Sequence, residues 1–238
     1  LGERFSTRTD TEVVLAAYRR WGTDWVKRFV GMWAFALWDI ATQSLFCSRD
    51  RFGIKPFHYI EEGGRFYFGS EYKALRCSPL FSARLNVNQA LRGLQLGWNA
   101  YHDESYYTCV RTLPPASNLY WKDGNFKLER YWDVSTVQDT GGSFADDAER
   151  FRELFMDSIH LHMRSDVEIG SCLSGGIDSS AITAAVGKLF PETAFKTFTV
   201  YYEGKDAVDE RPWVAEVLKQ NSRLQPYYLQ PSDEEIAA

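Results

Sequence analysis

Residues 173–180 read Leu-Ser-Gly-Gly-Ile-Asp-Ser-Ser, a combination of residue types that can bind an anion and a metal ion together. The two adjacent glycines carry no Cβ atom, so their backbone N–H groups can approach a ligand closely. We expect Ser179 and Ser180 to cap a helix whose positive end points at the same place. The Asp178 carboxylate beside this cradle is a ligand type that Mg²⁺ accepts. The pattern therefore predicts a bound pyrophosphate that carries its metal ion.

The residues around this loop indicate how it is positioned. Apolar residues lead into it from Val167, and an alanine-rich run from Ala181 to Val186 follows it, which predicts a strand, a glycine turn and a helix. The loop differs from that of the nucleotide triphosphatases, because no Gly-Lys-Ser/Thr follows the glycines. An ordinary helix with a Ser/Asp cap after a glycine turn is the alternative that involves no ligand.

Ser-Gly-Gly-x-Asp-Ser after a strand resembles the loop of the ATP pyrophosphatases, which adenylate a carboxylate or carbonyl oxygen, release pyrophosphate and let a nitrogen nucleophile displace AMP. The first half of the chain adds motifs that resemble, in order, signatures of the glutamine amidotransferase domain of asparagine synthetases. They occupy residues 6–12, 31–39, 49–57 and 70–75. Residues 111–115 and 130–133 resemble the linking region of the same family. The resemblance covers nearly the whole chain.

The resemblance implies a two-site enzyme, in which an N-terminal-nucleophile domain releases ammonia from glutamine and a synthetase domain uses ATP to activate the aspartate side chain. Thiol attack on the glutamine amide requires a cysteine at residue one of the mature chain, with its own α-amino group as base. Position one here is Leu1, so we expect no catalytic residue in this chain. Asp10 matches the position that pairs with the α-ammonium of glutamine. A helix N-cap is the alternative role of Asp10.

The resemblance also implies the nucleotide contacts of the second half. It implies that ATP and pyrophosphate are bound by Leu173, Ser174, Gly175, Gly176, Asp178, Ser179 and Val200. Asp178 is also the implied Mg²⁺ ligand. Plain strand core is an equally good interpretation of Leu173 and Val200. Asp209 and Glu210 match an acidic pair of the family, which a solvated helix start explains as well.

Other polar residues are expected to have structural roles. Arg49 and Asp50 end a strand before a Gly-x-Lys-Pro turn and should bond to neighbouring backbone. Glu71 should cap the helix that it opens. The four cysteines are widely separated and should be small buried hydrophobes. Ala116 stands where the family has a glycine after two prolines.

The pattern of elements predicts two domains. Residues 1–133 should form the amidotransferase portion with its linking region, an α+β N-terminal-nucleophile fold (αββα sandwich) by resemblance. Residues 134–143 are polar and read as a linker. Residues 144–238 should form an α/β portion with a parallel sheet, of the ATP-pyrophosphatase type by resemblance. The predicted helices are 10–22, 71–76, 86–96, 144–163 and 209–220. The core face of helix 144–163 is expected to carry Phe151, Leu154, Phe155, Ile159 and Met163. The first half should also contain an antiparallel meander, whose strands are 31–39, 45–49, 57–60 and 66–69. Its first strand is apolar on both faces. A hairpin is predicted at 121–126.

Composition excludes several classes of partner. The net charge of −5 and the absence of a basic tract argue against nucleic-acid binding. The longest apolar run, Phe29–Trp38, is far shorter than the roughly twenty residues that span a bilayer, so we expect no membrane partner. Cysteines without a C-x-x-C pair favour a reducing, cytoplasmic compartment. The oligomeric state is left open, and a homodimer is one of the states that the sequence allows.

The sequence favours an ATP-dependent carbon–nitrogen ligase of the glutamine-hydrolysing asparagine synthetase type, with glutamine, ATP and aspartate as substrates and Mg²⁺ as cofactor. Both ends look cut, so we expect an internal segment of a longer gene product that has neither full activity by itself. Two alternatives stay open. One is a relative that adenylates another carboxylate to close a lactam or macrocycle, and the other is a degenerate nucleotide-binding module.

Overall fold

The computed structural model describes residues 2–98, 102–139, 141–202, 209–232 and 234–235. The chain divides into two compact units, Leu1–Asp139 and Thr140–Ala238. Their boundary falls inside the polar segment 134–143, for which the sequence predicts a linker. Each unit has hydrophobic clusters of its own.

The first unit contains two antiparallel sheets. Its helices are α1 (Asp10–Trp21), α2 (Tyr72–Leu75) and α3 (Val87–Leu96). Its strands are β1 (Ala34–Asp39), β2 (Ser44–Arg49), β3 (His58–Glu62), β4 (Arg65–Gly69), β5 (Arg111–Thr112), β6 (Ser117–Lys122) and β7 (Asn125–Arg130). The strand orders are β1-β2-β6-β7 and β4-β3-β5. The predicted continuous meander is therefore wrong, because β2 and β3, which the 50–57 turn connects, lie in different sheets. Strand β2 pairs with β6, and β3 pairs with β5.

The two sheets pack face to face between helices. One cluster joins β2, β3 and β6, and its buried members are Leu45, Cys47, Phe57, Tyr59, Leu113 and Leu119. On the other face of the first sheet, Phe46 packs with Ala17 of α1 and with Trp25 of the following 3-10 helix (Gly22–Arg28). On the far side of the second sheet, Ile60 packs against Leu75 of α2. Strand β1 is shorter than expected, and its Trp38 is 46% exposed, so the expected cover on both faces is incomplete there.

The second unit is a parallel sheet with helices. Its helices are α4 (Phe144–His162), α5 (Ile177–Leu189) and α6 (Arg211–Leu218). Its strands are β8 (Gly170–Cys172), β9 (Phe195–Val200) and β10 (Leu224–Leu229), in the order β10-β9-β8. All pairings in this sheet are parallel, as the alternation of strands and helices predicts.

Helix α4 is amphipathic, but its buried stripe is narrower than predicted. Ser143 and Asp146 form a capping box at its start. Ile159 is buried in the cluster that contains Phe195 and Leu224. Phe151 and Leu154, both expected in the core, are exposed among the described residues. The helix therefore packs through its C-terminal half only.

Candidate functional site

The loop after β8 is hydrogen-bonded to the neighbouring strand β9 through Leu173, the first residue of the loop. The Leu173 N–H donates to the Phe198 carbonyl at 2.8 Å, and the Thr199 hydroxyl donates to the Leu173 carbonyl at 2.7 Å. The Leu173 side chain is completely buried against Val214 and Val217 of α6. Strand core, one of the two interpretations of the sequence, therefore describes this side chain.

Gly175 allows the loop to lie directly against the start of α6. Its φ of +78° is in the left-handed region that favours glycine. A Cβ atom at this position would lie 2.8 Å from the Cβ atom of Trp213 and 3.2 Å from the carbonyl oxygen of Glu210. Any side chain would therefore push the loop away from α6.

The residue that caps helix α5 is Gly176, with extended backbone, so the prediction that Ser179 and Ser180 cap this helix is wrong. Ser179 lies in the first turn, where its hydroxyl oxygen accepts a bond from the Ser174 N–H at 3.2 Å and contacts the Ser174 hydroxyl oxygen at 3.1 Å. Its hydroxyl also lies 3.2 Å from the Gly176 carbonyl oxygen. Ser179 therefore stabilises the loop by linking the start of α5 to Ser174.

The remaining atoms of the loop face solvent at the positive end of a helix. Ser174, Gly176 and Asp178 are exposed, and the Ile177 side chain is 87% exposed. The first four N–H groups of any α-helix have no partner within the helix, and they attract anions. The loop lies at the carboxyl end of a parallel strand, where open α/β sheets bind their ligands. This arrangement is suited to an anion such as a phosphate.

The donor set near the loop fits a Mg²⁺ ion that arrives with a phosphate ligand. Within the described ranges, no three His, Cys, Asp or Glu side chains are close enough to hold a metal ion by themselves. Protein sites for Mg²⁺ commonly use one or two carboxylates and complete the shell with substrate phosphates and water. The exposed Asp178 carboxylate meets that requirement.

Two further predicted positions lie at the same edge of the sheet. Val200, the last residue of β9, is 49% exposed, so it has apolar surface to offer a ligand. Asp209 is not a solvated helix start, because its carboxylate accepts from Arg211 Nε at 2.8 Å and from Nη2 at 2.7 Å. These bonds lower the pKa of Asp209. The Arg211 guanidinium in turn lies 4.3 Å from the centre of the Tyr201 ring.

A second candidate site is a cavity of about 460 Å³ in the first unit. The residues that line it are Asp10, Thr11, Val14, Leu15, Met32, Trp33, Ala34, Phe35, Ala36, Leu37, Trp38, Lys55, Pro56 and Ser70. Asp10 is the first residue of α1 and its side chain is exposed. The N-cap is Thr9, so the alternative that Asp10 is the N-cap is wrong. The cavity thus combines an apolar wall with a few polar groups at its rim.

The chain before Asp10 is folded back onto α1. The Glu12 carboxylate accepts bonds from the backbone N–H groups of Ser6 and Thr7, at 2.9 and 2.7 Å, and from both of their hydroxyls. These bonds lower the pKa of Glu12 to about 2, the backbone bond of Ser6 contributing most. Glu12 thereby fixes the entry to the helix that carries Asp10.

The predicted structural roles of Arg49 and Asp50 are confirmed. Arg49 donates to the carbonyl oxygens of Lys55, Leu113 and Gly53 at 2.7, 2.6 and 2.6 Å. Burial lowers the pKa of its guanidinium. The Asp50 carboxylate, in a residue only 1% exposed, accepts from the backbone N–H groups of Trp33, Phe52, Ile54 and Lys55. Together these two side chains fix the 50–56 turn.

Two other structural predictions are wrong. Glu71 occupies the N-cap position of α2, but its side chain makes no capping bond and instead lies 2.7 Å from the Lys73 ammonium. Only Cys47 is buried among the cysteines, whereas Cys77 and Cys172 are exposed. Burial raises the pKa of the Cys47 thiol. Small apolar character alone therefore did not determine where these cysteines lie.

Sequence reasoning identified Asp10 and missed its cationic neighbour in the cavity, Lys55. The two residues are 45 positions apart, on a helix and in a turn, and only the tertiary fold brings them to one cavity. The signal that could have found Lys55 is the Gly-x-Lys-Pro turn, which exposes a lysine next to the Arg49–Asp50 pair.

None of the helices in the described part of the chain combines the length and apolar character needed to cross a bilayer.

Two family models match the chain. Residues 1–132 match a glutamine amidotransferase domain, and residues 150–236 match asparagine synthase. Asparagine synthetase (glutamine-hydrolyzing) 3 of Bacillus subtilis is 35% identical over 225 residues, which are 90% of this chain and 36% of the relative. Putative asparagine synthetase (glutamine-hydrolyzing) 2 of Methanocaldococcus jannaschii is 32% identical over 244 residues, which are 98% of this chain and 46% of the relative. The chain thus spans less than half of the length of these relatives.

Proposed function

The chain belongs to the glutamine-hydrolysing asparagine synthetase family, and on that premise we propose that it contributes parts of two sites to an ATP-dependent amide ligase. In the proposed reaction, ammonia comes from glutamine, and ATP adenylates the side-chain carboxylate of aspartate. Ammonia then displaces AMP to form the amide. The observation that carries the proposal is the loop at residues 173–179, in which Ser174, Gly176 and the Asp178 carboxylate face solvent at the start of a helix.

We further propose fold assignments for the two units. The helix, sheet, sheet, helix order of the first unit agrees with the αββα sandwich of N-terminal-nucleophile amidotransferases. The parallel sheet of the second unit, with its loop between β8 and α5, agrees with the fold of the ATP pyrophosphatases. We place the two domains at residues 1–133 and 144–238, with 134–143 as the linker.

The proposed phosphate contacts are Ser174, Gly175, Gly176 and Ser179. Here the α5 N-terminus and the loop hydroxyls would hold the pyrophosphate part of ATP in a position set by the Gly175 contact with α6. Asp178 would hold Mg²⁺, which neutralises phosphate charge when bound. Val200 would offer apolar surface to the adenine base, and Leu173, buried against α6, would hold the start of the loop on that side of the site.

The proposed glutamine site is the cavity that Asp10 lines. An exposed carboxylate at the rim of an apolar cavity is suited to the α-ammonium of an amino acid. We also propose a cytoplasmic location, which agrees with four free cysteines and with a reaction that consumes ATP.

The test is pyrophosphate release from ATP by the full-length product of the gene that encodes this chain. Aspartate and a panel of other carboxylates are each supplied with and without glutamine. We expect pyrophosphate release when aspartate is supplied, and we expect glutamine to support it. In Asp178→Asn the rate of this release should fall at least about 100-fold. Asp157→Asn, the same substitution at an exposed position of α4, is the matched control and should keep wild-type release.

Other outcomes would change the proposal in defined ways. Release that requires a different carboxylate and ignores aspartate and glutamine would identify a ligase for another acceptor. No release with any carboxylate would identify a nucleotide-binding module without ligase activity. Equal loss in Asp178→Asn and Asp157→Asn would remove the special role of Asp178.

A further inference from the structure

The cavity that Asp10 lines contains a second charged group, of opposite sign. Among the described residues that line it, Lys55 is the only cation and Asp10 the only carboxylate. Both side chains are exposed, and neither takes part in an ion pair within the part of the chain that the structure describes. A cavity with one carboxylate and one ammonium at its rim has the charge pattern that recognises an α-amino acid zwitterion.

The backbone of Lys55 is fixed on both sides. Its N–H donates to the Asp50 carboxylate at 3.0 Å, and its carbonyl oxygen accepts from Arg49 Nε at 2.7 Å. The same Asp50 oxygen accepts from the N–H of Trp33, which also lines the cavity. The buried Asp50 and the half-buried Arg49 therefore hold the backbone of Lys55 beside the start of β1, and its side chain is exposed.

Such positioning favours binding over a solvated surface role. A lysine on a mobile loop loses both backbone and side-chain entropy when it binds a ligand, and a fixed backbone leaves only the side-chain part of that cost. Pro56 follows Lys55 and restricts it to extended backbone, which further reduces the number of conformations available to it. The neighbouring cavity wall is apolar, and lower local polarity strengthens a charge-assisted hydrogen bond.

We propose that Lys55 is a substrate-binding residue that donates to the α-carboxylate of glutamine, while Asp10 accepts from the α-ammonium. This inference rests on the proposed glutaminase function of the same cavity. Lys55 is not one of the positions to which the family resemblance gives a ligand. It would add a contact to the one that the resemblance assigns to Asp10.

The test compares Lys55→Met and Lys55→Arg with wild type in the full-length gene product. Glutamate release is measured as a function of glutamine concentration. We expect Lys55→Met to raise the KM for glutamine about tenfold or more, the size expected for one lost charge-assisted hydrogen bond, with little change in kcat. Lys55→Arg should recover most of the affinity. Lys73→Met, which removes an exposed lysine paired with Glu71 outside the cavity, is the control.

A substrate analogue separates contact with the α-carboxylate from a structural effect. 4-Aminobutanamide has the amine and the amide of glutamine but lacks the α-carboxylate. If Lys55 binds that carboxylate, Lys55→Met lowers kcat/KM for glutamine and leaves the already low kcat/KM for the analogue unchanged. A merely structural role would lower both by the same factor.

The outcomes distinguish this inference from the proposed function. An unchanged KM for glutamine in Lys55→Met, or an equal loss with the analogue, would overturn the role of Lys55 and leave the glutaminase function intact. Wild-type protein that releases no glutamate would overturn both. Supplying ammonium salt in place of glutamine should give the same pyrophosphate release in Lys55→Met and wild type, because ammonia bypasses this cavity.

Discussion

Two turns in this molecule use the same residue types for opposite purposes. The 50–56 turn follows β2 and the 173–176 loop follows β8, and each has a glycine with positive φ and a nearby aspartate. In the first turn, four backbone N–H groups occupy the Asp50 carboxylate. In the second, Asp178 is exposed. A carboxylate that its own backbone saturates has a structural role, and one left open at a helix start is available to a ligand.

The glycines differ in the same way. A Cβ atom at Gly53 would lie 3.0 Å from the Arg49 guanidinium carbon and 2.9 Å from Pro115, so this glycine makes room for the side chain that closes its own turn. A Cβ atom at Gly175 would meet α6 instead. The first turn is closed by side chains, and the second is shaped by packing of backbone against a helix.

One substitution applied to both turns gives the largest predicted difference. Asp50→Asn turns an oxygen that accepts from Trp33 and Lys55 into an amide donor, so we expect a loss of about 3 kcal/mol in the free energy of unfolding. Asp178→Asn should change stability by less than about 0.5 kcal/mol. Chemical denaturation of both variants measures this. Equal destabilisation would show that the two carboxylates are not used differently.

The adjacent glycines of the loop provide a second comparison. Gly175→Ala forces a left-handed alanine against Trp213, and we expect it to lower the free energy of unfolding of its unit by about 2 kcal/mol. Gly176 has a φ of −66°, and a Cβ atom built there would have Ser174 Oγ as its nearest neighbour, at 3.5 Å. Gly176→Ala should therefore lower the free energy of unfolding by less than about 1 kcal/mol. Its methyl would stand in the exposed cradle and raise the KM for ATP. Thermal unfolding and ATP titration are the two measurements, and a reversed order of stability would contradict this account of Gly175.

These contrasts also show how far the sequence could be read. The parallel sheet and the place of the 173–179 loop between β8 and α5 could be predicted, because the strand, turn and helix signals follow one another directly in the sequence. The cap at Gly176 could not, since it depends on the backbone angles at the turn. The split of the expected meander into two sheets depends on pairing with β5 and β6, which lie more than 50 residues away. For the same reason, the cavity of Asp10 and Lys55 has no local signature.

His58 follows the 50–56 turn, and we expect it to make the free energy of unfolding depend on pH, with a smaller effect than the substitutions above. Burial and then the Arg49 charge lower its pKa from 6.5 to about 4. The unfolded chain therefore binds a proton that the folded chain does not between these values, and stability falls as pH drops through that window. Denaturation at pH 7, 6 and 5 should show this fall in wild type and a smaller one in His58→Gln. Identical slopes would contradict a neutral, half-buried His58.

We expect the smallest change in the free energy of unfolding from a substitution at Ala116. It adopts a φ of +53° in a fully buried position. Ala116→Gly relieves roughly 1–2 kcal/mol of backbone strain, but it loses about 0.8 kcal/mol of methyl burial and gains flexibility when unfolded. These terms nearly cancel, so we expect a change in unfolding free energy within about 0.5 kcal/mol. A larger gain by chemical denaturation would show that strain at Ala116 outweighs its packing.

The bonds of Arg49 have a consequence for the order in which the chain is made. Its partners Leu113 and Tyr131 lie 64 and 82 residues further along the chain. A ribosome adds about 5–20 residues per second, so these partners emerge on the order of ten seconds after Arg49. The hydroxyls of Ser174 and Ser179, by contrast, are five residues apart. The nascent chain therefore carries an unfinished 50–56 turn through much of the translation of the first unit, whereas the 173–179 loop can form its own bonds as soon as it emerges.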